Sequence, residues 1–210
     1  MSCCSKLICD GCDYANASRE MEMRVVPSCP FCRTKLPVTK EEADKQRMKR
    51  VETNDPFAMC REGTEQYCKG DCSSAFEYWT KASELGFAEA HYKLSIMYGG
   101  GEGVEKNRSK EIYHLEEAAI GGHPDARRNL GSDEWMNNDD TERAVKHWII
   151  AATQGDDHSI KRLIKEFKFG AIQKEVLASA LRAHQAAVDA TKSPQREVAE
   201  KYYRNAPELR

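Results

Sequence analysis

The sequence predicts an all-α protein, a helix-turn-helix solenoid with a small cysteine-rich module at its N-terminus. Two observations point to the solenoid. Ala82, Ala118 and Ala151 are separated by 36 and then 33 residues, and Leu94, Leu130 and Leu163 repeat the same intervals. Gly86, Gly122 and Gly155 do so again. A period of this length in a helical pattern marks one supersecondary unit stacked on the next, and about three units are needed to bury a continuous core. A third observation defines the module, because six of the nine cysteines fall in the first 32 residues. The expected division is 1–37 for the module, 38–55 for a charged helical linker, 56–192 for the repeats and 193–210 for a C-terminal tail.

The module's cysteines read Cys3-Cys4, Cys9-Asp-Gly-Cys12 and Cys29-Pro-Phe-Cys32. Two C-x-x-C knuckles at this separation have the spacing of a zinc site, since thiolates two residues apart on a tight turn reach one tetrahedral ion. The candidate ligands are Cys3, Cys4, Cys9, Cys12, Cys29 and Cys32. Two tetrahedral sites need eight ligands, and the region has six cysteines and no histidine, so one structural Zn²⁺ at most is expected. Cys9, Cys12, Cys29 and Cys32 make one arrangement, a simple two-knuckle site. A redox pair would need a βαβ context that the segment lacks, and a metal-free cysteine-rich remnant is the other alternative. Between the knuckles, Tyr14 to Arg24 has helical potential.

Thr39-Lys-Glu-Glu42 matches a capping box and opens the charged linker helix. Asp55 is an N-cap, with Pro56 at the first helical position. Helix pairs follow, in about three repeats from Pro56 to Gly155, then a degenerate pair from Asp157 to about Thr191. The recurring glycines close helices in the left-handed conformation, where a Cβ is penalised. Trp79, Leu115 and Trp148 share a repeat position and read as core. His114 and His147 match Tyr78 and read as a semi-polar stripe. Asp156-Asp157-His158 sits at a repeat junction and reads as a capping segment. Cys60, Cys68 and Cys72 read as buried or partly buried thiols. Lys106 to Lys110 and Lys161 to Lys165 read as solvated helix faces.

Little in the chain points to catalysis. The Gly99 to Gly103 cluster has no preceding strand and no following Lys-Ser or Lys-Thr, so it is not a phosphate loop. The six histidines lack metal spacing, and no nucleophile–base constellation is visible. A formal net charge of −2 from 32 basic and 34 acidic residues argues against a nucleic-acid or polybasic membrane surface. No apolar run is long enough to span a bilayer. The N-terminus has no signal-peptide pattern, and the odd cysteine count suggests a reducing compartment, cytoplasmic or nuclear.

Cys4-Ser-Lys-Leu-Ile-Cys9-Asp-Gly-Cys12 and Cys29-Pro-Phe-Cys-Arg-Thr-Lys-Leu-Pro37 resemble the second half of a RING finger. Lys6 stands where that family has a histidine, and the family's opening C-x-x-C pair is absent, as in a truncated module. The resemblance implies cross-bracing, in which Cys9 and Cys12 pair with the absent cysteines. Cys4, Cys29 and Cys32 would then share the other site, Cys3 replacing the histidine. It also implies that Arg33 matches the position contacting conjugated ubiquitin, and that Pro30 and Leu7-Ile8 match pieces of the conjugating-enzyme surface.

The repeats resemble Sel1-like repeats, relatives of the tetratricopeptide repeat. Ala75-Phe-Glu-Tyr-Trp-Thr-Lys-Ala82 matches the second helix, Ala90-His-Tyr-Lys-Leu94 the first, and Tyr98 to Val104 the Gly-rich loop. The first repeat departs from the pattern, its helices being joined by Lys69-Gly-Asp71. The whole, including Ala180 to Arg196, is similar to an uncharacterised microalgal family joining a RING-like N-terminus to Sel1-like repeats. These resemblances imply an interaction scaffold binding a protein or peptide on the repeat surface. The alternative is a RING-type ubiquitin ligase that engages a ubiquitin-conjugating enzyme, active in a longer form restoring the first cysteine pair.

Overall fold

The computed structural model describes residues 10–205. Among them the regular elements are α1 (Asp10–Glu22), α2 (Lys40–Glu52), α3 (Pro56–Cys68), α4 (Cys72–Glu84), α5 (Ala88–Gly100), α6 (Arg108–Ile120), α7 (Pro124–Asn137), α8 (Thr141–Thr153), α9 (Asp157–Lys168), α10 (Lys174–Ala190) and α11 (Pro194–Asn205). A single isolated antiparallel bridge joins Ser28 and Lys35. None of these helices is long and apolar enough to cross a membrane. The chain divides into two compact units, residues 59–190 and the described residues on either side.

In the 59–190 unit the helices pack as successive antiparallel pairs, each touching the next. Local signals place them. Asp71, Asn107 and Asp140 cap α4, α6 and α8, accepting from the backbone N–H of Ser74 (3.0 Å), Lys110 (3.0 Å) and Arg143 (2.9 Å). A side-chain acceptor there satisfies one of the four donors a helix leaves unpaired at its start. At the other ends, Gly86, Gly122 and Gly155 adopt φ of 76°, 85° and 90°, the left-handed stop their spacing predicts. Asp156 caps α9 through the Ser159 N–H at 2.7 Å, as its junction position suggested.

Large residues from the second helices fill the core against small residues from the first. Trp79, Leu115 and Trp148 are 2%, 4% and 1% exposed, so they are core. Trp79 lies over Gly63 and Trp148 over Gly131, where an added Cβ would come within 2.7 and 2.6 Å of the indoles. Where the large residue is Leu115, the equivalent small position is Ser95, whose hydroxyl donates to the Tyr92 carbonyl at 2.7 Å. Ala90, Ala126 and Ser159, also fully buried, let the helices approach. The α9–α10 pair closes the unit through Ile160, Leu163, Leu177 and Ala180, packed on Trp148 and Val145 of α8. Cys60 is buried and Cys72 half-buried as expected, whereas Cys68 is exposed because it ends α3 on the solvent side.

In the other unit, Thr39 accepts from the Glu42 N–H at 3.2 Å, and the Glu42 carboxylate reaches back to the Val38 N–H at 2.9 Å. The capping box thus closes one residue further out than its pattern states. Asp55 accepts from Phe57 and Ala58 and pairs with Arg50 at 2.8 Å. Residues 194–205, expected as part of a tail, form α11 instead. Ser193 caps it through the Arg196 N–H (3.2 Å), and its fully buried Ala199 and the Tyr14–Tyr202 contact (centroids 5.1 Å) seat it on α1. The helix expected over Tyr14 to Arg24 starts earlier, at Asp10.

Candidate functional site

The cysteine module is only partly within the described residues, since Cys3, Cys4 and Cys9 lie outside them, as do Lys6, Leu7 and Ile8. The Cys29–Cys32 knuckle is a tight turn. Cys29 N–H donates to the Thr34 carbonyl (2.8 Å), Arg33 N–H to the Cys29 carbonyl (2.9 Å), and Leu36 N–H to the Pro27 carbonyl (2.9 Å). Arg33 takes φ 60°, the left-handed conformation that reverses the chain. Cys29 is buried and Cys32 exposed, its Sγ 3.2 Å from the Thr34 hydroxyl. Glu20 of α1 clamps the segment entering the turn, accepting from the Ser28 hydroxyl (2.9 Å) and N–H (3.2 Å). The Ser28 hydroxyl bond holds the Glu20 carboxyl below its usual range.

Cys12 is exposed on α1. Among the described residues no three His, Cys, Asp or Glu side chains gather as a metal site. Cys12, Cys29 and Cys32 are therefore not brought together as ligands of one ion by the described residues alone. A zinc site here needs thiolates from the segment outside them.

The repeat junctions carry a polar device that recurs with the period. His91 of α5 donates its Nε2–H to the Ser83 carbonyl of the preceding repeat at 3.1 Å. Thirty-six residues on, Arg127 of α7 donates to the Ala119 carbonyl at 2.8 Å. Because a carbonyl only accepts, His91 carries its proton on Nε2, and its bare Nδ1 faces His114 Nδ1 at 3.0 Å as acceptor. Burial, and then the neighbouring His91, push the His114 imidazole down to about 4. The stripe of Tyr78, His114 and His147 is half-buried, as its repeat position predicted. A second device is an ion-pair ladder between first helices. Glu89 accepts from His123 at 2.9 Å, and Arg128 pairs with Asp156 at 2.7 Å. The His123 bond holds the Glu89 carboxyl down at about 2.

Between α5, α6 and α7 these repeats leave a cleft of about 270 Å³. Its apolar residues are Ile96, Leu115 and Met136, and its charged residues Arg108, Glu111 and Asp133. Arg108 holds the polar wall in place by pairing with Glu111 (3.1 Å) and with Asp133. Ile96 is 44% and Met136 66% exposed, so two apolar side chains stand exposed beside a polar-walled cleft. Apolar surface beside fixed polar groups is what a peptide side chain needs for affinity and orientation together. Sequence reasoning did not single out these residues. The available signal was Ile96, a large aliphatic residue one position beyond the small residue of the core.

The model of the Sel1 repeat matches residues 58–87, 88–123 and 124–156, each stretch spanning one helix pair of α3 to α8. These helix pairs are Sel1 repeats. The α9–α10 pair lies beyond the matched residues, as its degenerate sequence suggested. Among curated proteins, the DAP3-binding cell death enhancer 1 of Mus musculus is 25% identical over 177 residues, covering 64% of this chain and 34% of that protein. The chain thus spans about a third of that relative's length. Two solved structures share the fold. A protective antigen of uropathogenic Escherichia coli with an SLR fold gives a TM-score of 0.59 at 22% identity, over 71% of this chain and 34% of that one. A Sel1 repeat protein from Oxalobacter formigenes gives 0.52 at 25% identity, over 59% of this chain and 98% of that one.

Proposed function

We propose that this chain is a protein-interaction scaffold whose Sel1 repeats take a segment of a partner protein in the α5–α6–α7 cleft. The observation carrying this reading is the exposed Ile96 and Met136 pair beside the braced Arg108, Glu111 and Asp133. A stacked-repeat surface suits an extended partner. The mouse relative, whose name records a binding partner of its own, is consistent with a binding role. The test is a quantitative pull-down comparing the full chain with Ile96→Glu/Met136→Glu. Both residues are exposed, so folding is retained, and partners recovered by the parent chain are lost from the variant. Equal recovery by the two would place binding elsewhere.

The zinc module belongs to the same proposal as a second contact region. The Cys29–Cys32 turn, fixed by three backbone bonds, supports one Zn²⁺ held jointly with cysteines from the N-terminal segment. The exposed Arg33 on that turn is what favours the ubiquitin-ligase alternative, which further requires a first C-x-x-C pair in a longer form. The zinc-to-protein ratio by elemental mass spectrometry tests the site. A ratio near one supports it, and a ratio near zero removes the zinc contact from this chain.

A further inference from the structure

A different surface, wholly within the N-terminal unit, has the chemistry of a docking groove. The segment from Val26 to Val38 and one face of α2 enclose an open groove of about 470 Å³. Val26, Leu36 and Val38 supply aliphatic surface, and Lys35, Lys45 and Lys49 supply the charge around it. Lys45 and Lys49 are one helical turn apart, so they lie on the same face of α2. The acid lining the groove, Glu42, is engaged by the Val38 N–H at 2.9 Å.

Some lysines are neutralised locally, Lys69 by Glu65 and Lys146 by Glu142, each at helical spacing. Among the described residues, Lys35, Lys45 and Lys49 form no ion pair. Three lysines against one carboxylate, Glu42, leave the groove net positive around an aliphatic floor, which fits a ligand that brings carboxylates and a branched apolar side chain together. No aromatic residue lines the groove, so it lacks the stacking platform on which single-stranded nucleic acid relies. Three lysines also fall short of the clusters of 4–8 basic residues that bind anionic membranes.

We infer that this groove docks an acidic segment of a partner protein. An aliphatic side chain seats on Val26, Leu36 and Val38, and flanking carboxylates meet Lys35, Lys45 and Lys49. Charge complementarity sets the encounter rate and register, and the apolar seat slows release.

A phage-displayed library of random dodecapeptides, selected on the immobilised full chain, tests this. Enriched peptides are then measured by fluorescence anisotropy. The expected enrichment is Asp or Glu flanking Leu, Ile or Val. Affinity should fall at least about tenfold in Lys45→Ala/Lys49→Ala and in Val38→Asp, and decline with added salt. Val38 is 88% exposed and alanine is a good helix former, so both variants should keep the parent circular dichroism and Tm.

Four results would overturn the inference. One is the absence of enrichment, or enrichment of neutral or basic peptides. Another is unchanged affinity in both variants. The third is tighter, Lys45/Lys49-dependent binding of a single-stranded RNA oligonucleotide or of phosphatidylserine vesicles. Peptides lost with Ile96→Glu/Met136→Glu but retained by the groove variants would overturn the groove and leave the repeat cleft standing. The converse pattern supports the groove.

Discussion

Replacing Gly131 by Ser and Trp148 by Leu, singly and together, probes how the repeats are held. Ser and Leu are the pair that the preceding repeat uses at these positions, as Ser95 and Leu115. A Cβ on residue 131 would sit 2.6 Å from Trp148 Nε1, 2.8 Å from Cδ1 and 3.0 Å from the Ala144 carbonyl. Overpacking of this kind costs about 1–3 kcal/mol, and the better helix propensity of Ser over Gly returns roughly 0.5 kcal/mol. The single Gly131→Ser variant should therefore lose about 1.5 kcal/mol.

Trp148→Leu empties part of the core. Truncating a buried Trp to Ala costs about 3–5 kcal/mol, and Leu restores roughly half of that. Trp148 Nε1 is buried with no hydrogen-bond partner, unlike Trp79, whose Nε1–H donates to the Cys60 carbonyl at 3.1 Å. Removing an unsatisfied donor offsets about 1 kcal/mol, leaving a loss of about 1 kcal/mol. If the sites were independent, the double variant would lose about 2.5 kcal/mol. With Leu at 148 the clash at 131 is relieved, so the double variant should lose only about 1 kcal/mol, a coupling of about 1.5 kcal/mol. Urea unfolding followed by far-ultraviolet circular dichroism measures all four chains. Additivity within about 0.5 kcal/mol would refute the small-against-large packing rule.

Acid should loosen the His91–His114 junction. The unfolded chain protonates histidine near pH 6.5, whereas folded His114 resists protonation down to about 4. This contribution is whole above pH 6.5 and is lost as pH falls toward 4. His114→Gln should flatten the Tm–pH curve in that window, and an unchanged slope would contradict the role of the pair. Asp140→Ala removes the cap of α8 and should cost about 1 kcal/mol in urea, while Asp140→Asn should cost far less; equal losses would mean the cap bond contributes nothing. If Cys29 and Cys32 hold zinc, Cys29→Ser/Cys32→Ser should abolish its binding and unfold residues 1–37 while the 59–190 unit keeps its helices. Loss of helix signal throughout, measured by hydrogen exchange, would mean that the two units fold as one.

The parts of the fold written in local, periodic signals were legible in the sequence. Glycines at left-handed stops, alanines at helix crossings and the Trp79–Leu115–Trp148 position repeat at fixed intervals because each repeat solves the same packing problem. The caps Asp71, Asn107 and Asp140 follow the same intervals and could have been read as a set. So could Ser193-Pro194, an N-cap followed by proline at the first helical position, which marks the start of α11. That α11 then seats on α1 was not legible, because it joins the two ends of the chain through side chains with no shared pattern. The cleft was hidden for a related reason. Ile96 and Met136 come from different helices and become neighbours only when the repeats stack. The cysteine spacing was plain, but spacing alone does not choose among six thiols.

The most direct test of the scaffold reading places a photoreactive phenylalanine analogue at position 96, at the mouth of the cleft. A matched chain carries it at position 120, where Ile120 is 76% exposed on α6 but does not line the cleft. Both full chains are irradiated in the same cell extract, and adducts are mapped by mass spectrometry. Binding in the cleft requires discrete protein adducts from position 96 that are absent from position 120. Adducts from both positions alike, or from position 120 alone, would contradict it.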